Sequence, residues 1–196
     1  MSFFRKIFSK NKVSGQENQE VPKIKEVFTE DYFNDRYTEQ ELSESDLLVD
    51  GSFKMIESYF LDNNIKPIIK SPIYHPANID EAITEGVGFY EYCKLFKHED
   101  KQIGLMITIA FSYFLIKELG FTLYNDKTPE FPLRFMTLKY NKDGGVISLY
   151  PFEYSLKVLN GEAKFIDLYE RIKNNLESIP STDAFLKNLK RDLNQQ

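Results

Sequence analysis

The sequence holds one cysteine, Cys93, two histidines, His75 and His98, and no tryptophan. A lone cysteine cannot close an intrachain disulfide, which places the chain with reduced, cytoplasmic proteins. The two histidines are far apart and neither has a second ligand at a familiar spacing. His98-Glu99-Asp100 lacks the i, i+4 histidine pair of a zinc-binding helix. No metal and no cofactor are therefore expected. Base is also short: 25 Lys+Arg stand against 30 Asp+Glu, a net charge of −5. That argues against nucleic acid as the main partner, because phosphate binding needs a clustered basic face. There is no P-loop or dinucleotide-binding glycine pattern and no G-x-S-x-G elbow. The opening MSFFRKIFSK has positive charge but no apolar run and no small-residue cleavage site, so it is not expected to be a secretory signal.

Apolar runs long enough for a bilayer are missing too. The longest nearly uncharged stretch is Ile103 to Leu119, IGLMITIAFSYFLIKEL. Wound as a helix it is apolar all round, the pattern of a buried core helix. Its uncharged part, Gln102 to Ile116, falls short of the roughly 20 residues a membrane span needs. The rest of the fold is expected to form around this helix. Aromatic content is high, at 15% from Phe and Tyr alone, and supplies a core of useful size.

Along the chain, residues 1–25 read as a flexible leader. Residues 1–8 could make a two-turn amphipathic helix with at most weak peripheral membrane contact. Residues 26–196 read as one α+β domain. Between Glu26 and Asp50, nine acids face one base, Arg36, and aromatics are threaded among them. This acidic segment has two readings. Its aromatics dock on the main domain, or the segment is a contact surface for a basic protein partner, with Asp31, Tyr32, Phe33, Asp35, Tyr37 and Glu39 making the contacts.

Leu47 to Leu61 has the apolar stripe of a helix. Three prolines, Pro67, Pro72 and Pro76, keep the following stretch irregular. Asn78 is a candidate N-cap for a helix from Ile79 to about Lys97, with Gly86 and Gly88 inside it as places for close helix approach. Gly120 is a natural C-cap for the core helix. Strands are expected at Phe121–Tyr124, Leu133–Tyr140 and Val146–Tyr150, the last two joined at Asp143-Gly144-Gly145. They make a small three-stranded antiparallel sheet packed against the central buried helix and its surrounding helices. Pro151 suits the first position of a short helix ending at Asn160-Gly161. Phe165, Leu168, Tyr169, Ile172, Leu176 and Ile179 share one helical face, and a last amphipathic helix follows Ser181.

The order of a core helix ending in Gly120, a strand pair, Tyr150-Pro151-Phe152, Lys157-Val158-Leu159-Asn160-Gly161-Glu162 and then Phe165-x-x-Leu168-Tyr169 resembles the DUF3806-like bacterial domains. The resemblance covers roughly residues 99–179. That family has no established activity, so the resemblance implies no catalytic residue. By composition the chain is also similar to immunity proteins of bacterial toxin systems, which are small, acidic and cytosolic.

The function expected is a non-catalytic, cytoplasmic protein-binding domain, with an immunity or adaptor role. The alternative is an enzyme whose cleft lies near the end of the 146–150 strand, with Cys93, His75 or His98 and Glu153 as its groups. Cys93 and His98 do not make a dyad on one helix, since five residues at 100° each leave about 140° between them.

Overall fold

The computed structural model describes residues 30–142 and 145–178. The leader, the last amphipathic helix and the Asp143-Gly144 turn residues expected from the sequence lie outside them. The elements run α1 (Glu30–Arg36), β1 (Tyr37–Gln40), α2 (Leu47–Asp62), α3 (Pro76–Thr84), α4 (Phe89–Leu95), α5 (Asp100–Leu119), β2 (Thr122–Asp126), a 3₁₀ turn (Pro132–Arg134), β3 (Met136–Lys142), β4 (Gly145–Leu149), α6 (Pro151–Leu159) and α7 (Phe165–Ser178). The fold class is α+β.

Helix α5 is the expected core helix. It starts at Glu99, whose N–H donates to Gln102 Oε1 at 2.8 Å, and stops at Gly120 in the left-handed region, φ 71°. Among the described residues it is the one helix long and apolar enough to cross a membrane, with a mean hydropathy of 1.4, but 67% of that window is buried inside the fold. It packs between α2 and α6 and also touches α3, α7 and β2. Gly104 permits the α6 contact: a Cβ there would come within 3.2 Å of Leu156 Cδ2 and 3.5 Å of Phe152 Cε2. On the same seam Thr108 Oγ1 and Ser155 Oγ lie 2.9 Å apart, each also within hydrogen-bond reach of a carbonyl one turn back. The buried hydroxyls are thus satisfied without a charge.

The sheet has four antiparallel strands in the order β1-β2-β3-β4, not three. The extra strand comes from the acidic segment and pairs Tyr37 with Asp126 and Gln40 with Leu123. A four-residue strand with burial only at its first position carries no period-2 signal, so its pairing is invisible without β2 beside it. The inner face, with Leu123, Met136 and Leu138 buried, closes the helical core. The outer face carries Tyr37, Tyr124, Asp126 and Lys139 by register.

The long helix expected over 79–97 is two helices. Gly86 and Gly88 take φ of 62° and 81° and form the break instead of a site of close helix approach inside a helix. The Tyr59 hydroxyl plugs this turn, donating to the Glu85 carbonyl and accepting from the Gly88 N–H at 3.1 Å. Nor is Asn78 the N-cap. The first of the two helices begins at Pro76, with His75 Nδ1 accepting from the Ala77 N–H at 3.2 Å. The Asn78 side chain instead bonds the backbone of the proline-rich loop at Ile69, Pro72 and Ile73.

An ion pair fastens α1 and β1 to the sheet. Arg36 donates to Asp126 through Nη2 at 2.7 Å and through Nε to both carboxylate oxygens at 3.0 Å. Burial pushes the Asp126 carboxyl up, but the Arg36 bonds and the Thr128 N–H outweigh it and hold it below the ordinary carboxylate value. A depressed carboxylate stabilises the folded state above its unfolded pKa of about 3.9, and the stabilisation is lost as pH falls through the folded value. The expected result is that β1 loosens in acid before the rest of the sheet. Hydrogen exchange should then speed up at the β1 amides paired with β2 and stay slow in β3, and Asp126→Asn should produce the same pattern at neutral pH. Equal exchange in β1 and β3 throughout would refute the tether.

Candidate functional site

The acidic segment is divided by its fold. Asp31 and Tyr32 stand in α1, ahead of the half-buried Phe33. The Phe33 ring centroid lies 4.9 Å from Tyr37 and 5.3 Å from Tyr124. Lys139 Nζ sits 4.5 Å from the Phe33 ring and 4.1 Å from the Tyr37 ring. Two of the expected contact aromatics thus form a small cation–π cluster over the outer face of the sheet. Burial pushes the Lys139 ammonium below its ordinary value, helped by the Arg36 charge.

The acids stay in solvent, Glu39 on the same outer face as Tyr37 and opposite Tyr124 in the register. Asp35, Glu39, Glu41, Glu44 and Asp46 are all exposed. None of them makes an ion pair with a described residue. Glu44 accepts from the Tyr113 hydroxyl at 2.9 Å and Asp46 from the Ser43 N–H at 2.9 Å. The chain from Tyr37 to Phe53 contains no base. The end of α1, the edge strand and the loop after it therefore present a row of exposed carboxylates that make no ion pair among the described residues.

The groups expected of an enzyme are not gathered. Cys93 is fully buried in the core, and burial pushes its thiol up to about 12. Such a thiol is a small apolar packing residue rather than a nucleophile. His75 caps α3, with its ring 5.0 Å from that of Phe114 and 6.0 Å from that of Tyr169. Burial lowers its pKa, against the opposing pull of Glu118 and Glu170, in keeping with a neutral ring whose Nδ1 is an acceptor. His98 sits in the link between α4 and α5.

A cleft does lie where the alternative reading put one, beside the end of β4. Its volume is about 340 Å³, and Phe111, Arg134, Leu149, Tyr150, Glu153, Lys157, Leu168 and Arg171 are among the residues lining it. Neither Cys93 nor either histidine lines it. Glu153 accepts from Arg134 Nε at 2.7 Å and lies 3.3 Å from Lys157 Nζ. Those two cations hold its carboxyl below the ordinary value despite burial. No local pattern signals this convergence, because Arg134, Lys157 and Arg171 come from the 3₁₀ turn, α6 and α7, each with ordinary amphipathic spacing.

A larger cleft, about 560 Å³, opens between α3 and the α6–α7 connection. Its deeply buried ionisable group, Asp80, accepts from the Phe165 and Ile166 N–H groups at 2.8 and 2.9 Å. Burial raises the Asp80 pKa, and those two bonds oppose the rise. Asp80 thus serves as a cap for the first turn of α7. No group of three or more metal-ligating side chains occurs among the described residues.

In comparisons with protein-family models, with curated proteins and with solved structures, nothing matches this chain. The class defined by fold and surface is an α+β domain with an acidic edge.

Proposed function

We propose that the protein is a non-catalytic, cytoplasmic protein-binding domain that engages a basic partner, in an immunity or adaptor role. The observation that carries this reading is the row of exposed carboxylates from Asp35 to Asp46, none of them in an ion pair with a described residue. In this proposal Phe33 and Tyr37 seat the edge on the sheet, Asp31 and Tyr32 extend it along α1, and Asp35 and Glu39 meet the partner. Like charges held close together repel one another, and a cationic partner lowers that cost. Complementary charge of this kind mainly speeds encounter and rejects wrong partners. The likeness of residues 99–179 to the DUF3806-like domains belongs to this proposal and assigns no activity.

Affinity capture of the full chain from its native cells, at low and at moderate salt, tests it. One basic protein should be captured in stoichiometric amount and lost as salt screens the contact. Joint substitution Asp35→Lys, Glu39→Lys and Glu41→Lys should weaken that binding by roughly tenfold or more and leave the thermal melt in place, since all three positions are exposed. An unchanged capture after charge reversal would refute the reading.

A further inference from the structure

We propose that the cleft beside β4 is a binding site for a small phosphate monoester with an apolar or aromatic body. Three cations, Arg134, Lys157 and Arg171, reach this one cleft from three different elements. They face a single carboxylate there, Glu153, so the cleft is positive in a chain whose net charge is −5. Arg171 is exposed and makes no ion pair with a described residue.

Arg134 is held ready. Its guanidinium lies 4.6 Å from the Phe131 ring and 4.6 Å from the Tyr150 ring, and its Nε is fixed on Glu153. That leaves its terminal nitrogens as donors in a fixed plane, the geometry that recognises phosphate oxygens. The surplus of about two positive charges matches a phosphate monoester, which carries about −1.5 to −2 at neutral pH. Phe111 and Leu168 supply an apolar floor. The volume of about 340 Å³ is at the small end for ligand pockets, which run from about 300 to 1,000 Å³. This favours a one-ring ligand.

The test is titration of the full chain with phenyl phosphate, followed by amide shifts in NMR and by calorimetry. Inorganic phosphate and phenyl sulfate, a monoanion, are the comparison probes. Saturable binding is expected, with amide shifts at Tyr150–Lys157 and around Arg171. Phenyl phosphate should bind more tightly than either comparison probe. Arg171→Gln with Lys157→Gln should weaken it by roughly tenfold or more, and Lys54→Gln on α2 should leave it unchanged. Both cleft positions are exposed, and an unaltered circular dichroism spectrum confirms that the variant is folded. Absence of saturation by about 10 mM, or an equal loss in Lys54→Gln, would overturn the proposal. Inorganic phosphate or phenyl sulfate binding as tightly as phenyl phosphate would overturn the ligand class assigned.

Discussion

Phe165→Ala is expected to lower the free energy of unfolding by about 3–5 kcal/mol, the range for truncating a fully buried phenylalanine. Phe165 opens α7 and is completely buried, with its ring centroid 4.4 Å from Phe111 of α5 and 5.8 Å from Tyr154 of α6. Three helices therefore share the cavity its loss would leave. Its N–H also donates to the buried Asp80 carboxylate, so the side chain fixes the backbone that satisfies that charge. Domains have about 5–15 kcal/mol in total, so this one change removes a large part of the stability. Urea unfolding checks it: the midpoint should fall with little change in slope. Leu95→Ala, at a 76% exposed position, should stay within about 0.5 kcal/mol of the parent. A Phe165→Ala loss below about 1 kcal/mol would mean that α7 is not seated by this ring.

Asn78→Ala is expected to cost about 2–4 kcal/mol, because unmade hydrogen bonds cost about 1–3 kcal/mol per buried group. The Asn78 side chain is wholly buried. Its carbonyl oxygen accepts from the Ile69 N–H at 2.8 Å, and its amide nitrogen donates to the carbonyls of Ile69 at 2.9 Å, Ile73 at 3.1 Å and Pro72 at 3.3 Å. One amide thus holds a loop whose prolines keep it out of any helix or sheet ladder.

Asn78→Asp sharpens the test. The new carboxylate would keep the bond from Ile69 N–H but turn a charge toward three carbonyl oxygens. Its folded pKa would therefore be raised. Destabilisation is then full above that raised value, shrinks as pH falls through it, and is gone below the unfolded value of about 3.9. Asn78→Asp should be less stable than Asn78→Ala at neutral pH and recover toward the parent near about pH 4, relative to the parent at each pH. A pH-independent difference would refute the clamp.

Much of the helical frame was legible in the sequence because local physics decides it. Helix α5 followed from an all-round apolar run, Gly120 from the left-handed cap it had to supply, and Pro151 from the first-turn position that needs no N–H. The amphipathic face from Phe165 identified α7. Two features of the candidate surfaces were not legible. Strand β1 has too few residues for a pattern and exists only because β2 lies beside it. The basic cleft needs Arg134, Lys157 and Arg171 to meet, and each belongs to a separate element whose own spacing explains it.

Composition and local spacing suffice for an α+β chain built around one buried helix, short of base and without a recognisable catalytic motif. Those are properties of composition and of neighbours within a turn or two. Long-range packing makes two helices of the one expected over 79–97. Tyr59, from another helix, bonds the backbone on both sides of Gly86. Only the tertiary structure placed Phe33 and Tyr37 over the sheet while Asp35 and Glu39 face solvent. Side chains distant in sequence meet through packing and charge pairing, and no local pattern encodes which of them will do so.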